Sequence, residues 1–248
     1  MKVISVTNRK GGVGKTTTAQ TLAKGLTLKG FKVLAIDLDS QANLTYSYGA
    51  DESKEGAHAL LCGEVKAQEL IQNTANGDII ASSELLAILS GNTDIKLNAL
   101  QHAIQPLKAH YDYIVIDTAP ALDSLVMQAL IASDEIIITA QADIYSIKAL
   151  GQIAETVSTC KKVNSKLSIA GILLTRYNSR TAHTRDISEV AEQAAAKLGT
   201  KVFNTKVREC IALREAQTAR LNIFDYSPKS NGAEDYKAFI DEFIGGIK

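Results

Sequence analysis

The stretch Arg9-Lys10-Gly11-Gly12-Val13-Gly14-Lys15-Thr16-Thr17 constrains this chain more than any other feature. It follows the apolar run Val3-Ile4-Ser5-Val6, which reads as a buried strand. It opens the segment Thr16 to Lys29, where Ala19, Leu22, Ala23 and Leu26 share a helical face and Gly30 stops the pattern. Glycines without a Cβ let backbone N–H groups approach an anion closely. The start of a helix adds the positive end of its dipole. Gly11, Gly12, Val13, Gly14, Lys15, Thr16 and Thr17 are therefore the expected phosphate cradle of a bound nucleotide. Lys15 supplies the cation for β- and γ-phosphates, and the Thr16 hydroxyl supplies a ligand for Mg²⁺. The plain alternative is a glycine-rich turn with no ligand, which the order strand, GGxGKTT, helix disfavours.

A second apolar run, Lys32 to Ile36, ends in Asp37-Leu38-Asp39 and completes a strand–helix–strand unit. Such a unit implies parallel pairing and a right-handed crossover. Further on, the spacing predicts strands at 113–117, 135–139, 167–175 and 201–205, and a short one at 78–80. Helices are predicted at 124–132, 146–163, 184–198 and 232–243, with short ones at 57–62 and 66–72 and a longer one at 94–109. Continuous apolar strands alternating with helices give an α/β fold, a P-loop NTPase with a mostly parallel sheet flanked by helices on both faces. The 248 residues carry only three prolines, which favours one domain over residues 1–248. With 46% hydrophobic and 22% charged residues, a sizeable core is expected.

No run of 18 apolar residues is present, and no signal-peptide core precedes the first strand. The three cysteines, Cys62, Cys160 and Cys210, form no CxxC pair or Cys/His cluster by spacing. Neither a disulfide framework nor a zinc site is expected. These features predict a soluble, cytoplasmic protein. Net charge is zero, but residues 1–160 carry 12 basic and 17 acidic side chains and residues 161–248 carry 15 and 10. The asymmetry reads either as one basic face or as scatter on a solvated surface.

Asp37 and Asp39 follow the second strand, and Asp117 ends the strand YIVID ahead of Thr118-Ala119-Pro120. In open parallel sheets ligands sit at the carboxyl ends of strands, so both segments converge on the phosphate loop. A carboxylate after an apolar strand can hold Mg²⁺ directly or through water. An aspartate at a strand end is otherwise a helix cap or turn residue.

An ordinary P-loop reads GxxxxGK[ST] and would begin with glycine at position 9, where this chain has arginine. The pattern KGGVGKTT instead resembles the deviant Walker A loop of the ParA/MinD family, and ParA/Soj-type partition ATPases in particular. That family's signature is the second lysine, here Lys10. The resemblance implies an ATP-hydrolysing enzyme, slow and stimulated by a partner, that dimerises around ATP and Mg²⁺. In it Lys10 reaches the phosphates of the partner's ATP. Asp37-Leu38-Asp39-Ser40-Gln41-Ala42-Asn43 is similar to the family's first switch and Asp117-Thr118-Ala119-Pro120 to its second. By that likeness Asp39 positions the attacking water, and Thr16, Asp39 and Asp117 surround Mg²⁺. The role of Asp37 stays open.

The resemblance extends over nearly the whole chain. Leu173 to Thr181 is similar to a family segment whose arginine contacts DNA, and Arg180 is the match. Val207 to Gln217 resembles the segment that closes over adenine. Arg208 stands there in place of an adenine-flanking proline, and Ala212 occupies a position that is arginine in some members. Arg214 lies two residues on and is the second candidate DNA contact. Asn178 is a candidate for the adenine edge, because an amide both donates and accepts, or else a turn residue. No recognition helix or zinc finger is present, so the implied DNA binding is non-specific, to double-stranded DNA, with a ParB-like centromere-binding partner and a nucleoid location. A MinD-like membrane protein would need a basic amphipathic C-terminal helix, and the acidic pair Asp241-Glu242 disfavours it. A relative of the nitrogenase iron protein would need paired interface cysteines. A ParA-like protein that positions a cargo other than DNA remains the alternative from another class.

Overall fold

The apolar runs become the strands β1 (Lys2–Thr7), β2 (Val33–Leu38), β4 (Gly77–Ile80), β5 (Tyr113–Thr118), β6 (Glu135–Gln141) and β7 (Ser168–Thr175), joined by the short β3 (Ile71–Thr74). The structure is a computed structural model that describes residues 1–90, 95–121, 123–178 and 182–245. The seven strands form one sheet in the order β3-β4-β2-β5-β1-β6-β7. All pairs are parallel except β3 with β4. The described helices are α1 (Lys15–Leu28), α2 (Asn43–Tyr48), α3 (Ala57–Cys62), α4 (Ala99–Ala103), α5 (Ser124–Ala132), α6 (Ile144–Lys161), α7 (Ala182–Lys197), α8 (Ile211–Thr218), α9 (Ile223–Tyr226) and α10 (Asn231–Gly245).

Successive residues of the central strands feed opposite faces. Leu34, Ile36 and Leu38 of β2 and Ile114 and Ile116 of β5 pack with α3, α4 and α5. Tyr113 and Val115 of β5 with Ile4 and Val6 of β1 pack with α1, α9 and α10. Strand β6, between β1 and the edge strand β7, packs Ile136 and Ile138 under α5, α6 and α7. Both faces are thus covered, as uninterrupted Val/Ile/Leu strands require. α1 and α10 approach closely at Gly25, where a Cβ would collide with Ile240 Cδ1.

Three expected elements differ. The predicted helix at 66–72 is a 3₁₀ turn at Ala67–Leu70 followed by β3, because Ile71–Thr74 pairs antiparallel with β4. The predicted long helix at 94–109 is α4 and a separate 3₁₀ turn at Gln105–Ala109. Pro106 has no N–H to continue the α-helical ladder and disfavours helical geometry in the residue before it. Its first residue, Asp94, lies outside the described residues. The predicted strand at 201–205 makes only the isolated bridge Ile172–Val202. Its next N–H groups, of Asn204 and Thr205, turn to the Glu242 carboxylate at 2.8 Å.

The chain leaves β1 toward β2 on one side, and crosses from β5 to β6 on the other. The carboxyl ends of β1 and β5 therefore flank a crevice of the kind where ligands bind in open α/β sheets.

Candidate active site

The loop after β1 is fixed from within. Asn8 is buried; its side-chain N–H donates to the Thr139 carbonyl at 2.5 Å, and its Oδ1 accepts the Lys10 N–H at 2.9 Å. Gln141 donates to the Gly12 carbonyl at 3.0 Å, and the Thr175 hydroxyl to the Val13 carbonyl at 2.9 Å. Gly12 and Gly14 hold φ of 73° and 83°, where a side chain would be strained. Gly14 begins α1, its carbonyl accepting the Thr18 N–H at 2.9 Å. A cavity of about 480 Å³ opens over this helix start. Gly11, Gly12, Gly14, Lys15, Thr16, Thr17 and Asp39 line it on one side, with Gln41, Asn43 and Tyr46 beside them. Arg176, Arg214, Gln217 and Thr218 line the other side.

Lys15 is only 6% exposed, and its ammonium donates to the Lys10 carbonyl at 3.1 Å. Burial lowers its pKa, and Asp117 and Asp39 offset part of that. Lys10 itself is absent from the cavity walls. Its ammonium lies 2.7 Å from Asp143 Oδ2, two residues beyond β6.

The carboxylates come from neighbouring strands. Asp37 and Asp117 are register partners across β2 and β5, and Asp117 also pairs with Val6 of β1. Asp37 is fully buried and accepts the Thr45 N–H and hydroxyl at 2.8 Å and the Asp39 N–H at 3.0 Å. Burial nevertheless pushes it up to about 6. Its bonds tie α2 to β2 and fix the segment between them. Asp39 reaches the cavity, one oxygen accepting the Gln41 N–H at 3.0 Å.

Asp117 is fully buried; its Oδ1 accepts the Thr118 N–H at 3.1 Å, and its Oδ2 has no hydrogen-bond partner among the described residues. Burial and then the Asp37 charge push its pKa well up, with the Thr16 hydroxyl and Lys15 pulling part of the way back. A buried carboxylate oxygen without a partner is costly unless a cation or water serves it. Oxygen donors from Thr16, Asp39 and Asp117 suit a hard cation such as Mg²⁺.

The other wall is looser. Arg176 holds φ of 49°, and α8 joins the phosphate loop through Gln217, which donates to the Thr17 hydroxyl at 3.0 Å. Arg214 sits at this rim, exposed. Arg208 lies in an adjoining cleft of about 90 Å³ and not on the main cavity. Its guanidinium grips Asp235 of α10 through Nε at 2.9 Å and Nη2 at 2.7 Å. Asn178 is exposed and outside the cavity walls. Arg180 lies outside the described residues. Asn8, Tyr46, Asp143, Arg176, Gln217 and Thr218 are site residues that sequence reasoning missed. Only Asn8 carried a local signal, an amide two residues before a loop N–H that it can cap.

Residues 1–169 match a family described as an AAA domain. The chain is 33% identical over 246 residues to the sporulation initiation inhibitor protein Soj of Bacillus subtilis, covering 95% of each. It superposes with a TM-score of 0.84 on a putative plasmid partition protein from Borrelia burgdorferi B31 bound to AMPPNP, at 29% identity over 98% of each chain. The septum site-determining protein MinD of Pyrococcus horikoshii OT3, complexed with Mg-ADP, gives a TM-score of 0.81 at 26% identity, over 99% of this chain and 98% of that one.

Proposed function

Because the chain belongs to the ParA/Soj family of partition ATPases, we propose that it is an ATP-gated DNA-partition protein. ATP joins two copies, the pair holds double-stranded DNA without regard to sequence, and a ParB-like centromere-binding protein triggers release by stimulating hydrolysis. The observation that carries this reading is the place of Lys10. It belongs to the phosphate loop, yet it does not line its own chain's cavity and is held at the side by Asp143. A cation so placed suits the nucleotide of a second copy.

ATP and Mg²⁺ are the cofactors, and Mg²⁺ when bound neutralises charge on the β- and γ-phosphate oxygens. The loop N–H groups and the start of α1 bind the phosphates, and Lys15 neutralises them from a buried position. Thr16 and Asp117 would hold the cation, and one Asp117 oxygen has no hydrogen-bond partner among the described residues. Asp39, at the cavity wall, orients the attacking water and shares in the cation's surroundings. A lone chain lacks the second lysine, so its turnover is slow and rises once the partner copy and the ParB-like protein complete the site. Arg176, Gln217 and Thr218 of the far wall would receive the base, with Arg208 in the adjoining cleft and Asn178 outside the wall.

DNA contact falls to the basic last third, with Arg180 and the rim residue Arg214. Two copies side by side gain strongly over one, because phosphate contacts act together and release counterions. The apolar face of α10, with Tyr236, Phe239, Ile240 and Phe243, is buried against α1 and the sheet. Glu242 is engaged with Asn204 and Thr205, and Asp241 with Lys29. This helix offers no spare apolar face to a bilayer, which favours a cytoplasmic, nucleoid-associated protein over a membrane one.

Fluorescence anisotropy on unrelated duplexes, with ATP and with ADP at two salt concentrations, tests the reading. Binding in ATP alone, equal across sequences and steeply weakened by salt, is expected. Arg180→Ala lowers it for all duplexes alike. Equal binding in ADP and ATP contradicts the switch, and binding to lipid vesicles in place of DNA replaces partition with a membrane role.

A further inference from the structure

The cysteine spacing gives no metal signature, yet the fold assembles one away from the nucleotide. His58 and Cys62 lie four residues apart on α3 and so share one face of it. The helix stops at Gly63, φ 72°. The Gly63 N–H donates to the Leu60 carbonyl at 3.2 Å and the Glu64 N–H to the Ala59 carbonyl at 3.1 Å. This pair of bonds is the left-handed helix stop that folds the chain back over its last turn. It returns Glu64 to the face that carries His58 and Cys62. The ligand atoms of His58, Cys62 and Glu64 all lie within 4.8 Å of one another. Cys62 Sγ is 4.0 Å from a His58 ring nitrogen, Nε2.

We propose that His58, Cys62 and Glu64 bind a zinc-class divalent cation. The donor set decides the class: thiolate and imidazole select zinc and its neighbours over Mg²⁺, which wants oxygen alone. The geometry is nearly formed. Tetrahedral bonds of about 2.3 Å to sulfur and about 2.05 Å to nitrogen place the two atoms roughly 3.5 Å apart. Closing the remaining half-ångström takes a side-chain rotation, and Cys62 and Glu64 are exposed and unobstructed by the core. On binding, the thiol gives its proton to solvent and the thiolate takes the metal. Three protein ligands leave a fourth position open to water or an exchangeable group. Cys62 lines the groove between α3 and α4, about 710 Å³, together with His102, while His58 and Glu64 line a neighbouring cleft. The site shares no residue with the nucleotide cavity.

The full-length, reduced, metal-free protein, with Mg·ATP present to fill the phosphate site, is titrated with Co²⁺ and then Zn²⁺. One equivalent of Co²⁺ should bring thiolate-to-cobalt charge-transfer absorption and the strong visible bands of a tetrahedral centre, and Zn²⁺ should bleach them. Cys62→Ser should abolish the charge-transfer band. His58→Gln and Glu64→Gln should each weaken Co²⁺ binding at least about tenfold, with ATP turnover unchanged as proof of folding. No charge-transfer band in the unaltered protein overturns the proposal. So does a band that survives Cys62→Ser, because it belongs to Cys160 or Cys210.

Discussion

On one side of the nucleotide cavity Lys15, at the start of α1, and Asp39, just beyond β2, form the wall, with Asp37 and Asp117 of β2 and β5 behind them, and all four are at most 6% exposed. On the other side Arg176, Arg214 and Thr218 are exposed, carried by a loop and the two-turn helix α8. Burying an ion costs several kcal/mol even after relaxation. Four ionisable groups packed at one place, one with an oxygen lacking a partner, are therefore kept for a ligand that offsets the cost. The exposed wall bears no such penalty. Its groups are solvated, and any one can be exchanged with little loss. The difference teaches that chemistry resides on the buried wall and fine adjustment on the rim.

Lys15→Ala attacks that contrast hardest. Removing the buried cation should lower ATP affinity by on the order of 100-fold or more, because the phosphates lose a desolvated charge partner. Calorimetry with Mg·ATP reads it, and undiminished affinity would erase the distinction between the walls.

Asp39→Ala leaves Lys15 in place and removes the carboxylate proposed to position water, along with its bond to the Gln41 N–H. ATP should still bind, while turnover falls on the order of 100-fold. Turnover at the unaltered rate would place the positioning group elsewhere.

The buried wall should also respond to pH. Asp37 is raised to about 6 and Asp117 is raised well above its usual range, both chiefly by burial. Raised carboxyl groups favour the nucleotide-free fold when protonated. That contribution is fully present below about pH 4 and is lost as pH rises through the folded values. Mg²⁺ requires ionised Asp117, whose pKa is raised, so the thermal stabilisation by Mg·ATP should grow as pH rises beyond the usual carboxylate range, by about 2–4 °C per kcal/mol of linked stability. Melting curves with and without Mg·ATP measure it, and a constant increment would mean that these groups do not titrate on binding.

Arg208, in the cleft that adjoins the rim, gives the smallest expected effect. Arg208→Ala breaks an exposed ion pair with Asp235, and exposed pairs contribute little. ATP affinity should change by no more than about threefold. A loss matching that of Lys15→Ala would show that the adjoining cleft binds nucleotide as strongly as the buried wall does.

The same contrast explains what the sequence disclosed. The phosphate loop was legible because its glycines and Lys15 answer to a local backbone requirement and sit between a strand and a helix. Asp37, Asp39 and Asp117 were legible because apolar strands end at them. Lys10 could be assigned only by likeness, and its contact with Asp143 joins residues 133 apart. Arg208 was placed beside adenine, and its grip on Asp235 depends on how α10 returns across the sheet. The antiparallel β3 was concealed because its four residues alternate too briefly, although Asn76-Gly77 marks the hairpin. His58 and Cys62 share a face of α3, but Glu64 joins them only through the turn at Gly63.

Whether Lys10 serves a second copy decides the rest, and light scattering on the unaltered protein and on Lys10→Ala tests that most directly. With a slowly hydrolysed ATP analogue and Mg²⁺, the unaltered chain should move from 26.6 kDa to twice that mass. Lys10→Ala should bind the analogue within about threefold of the unaltered affinity, since the lysine is absent from its own cavity, and should stay at the mass of one chain. A Lys10→Ala protein that doubles its mass as readily as the unaltered chain would contradict the cross-copy role.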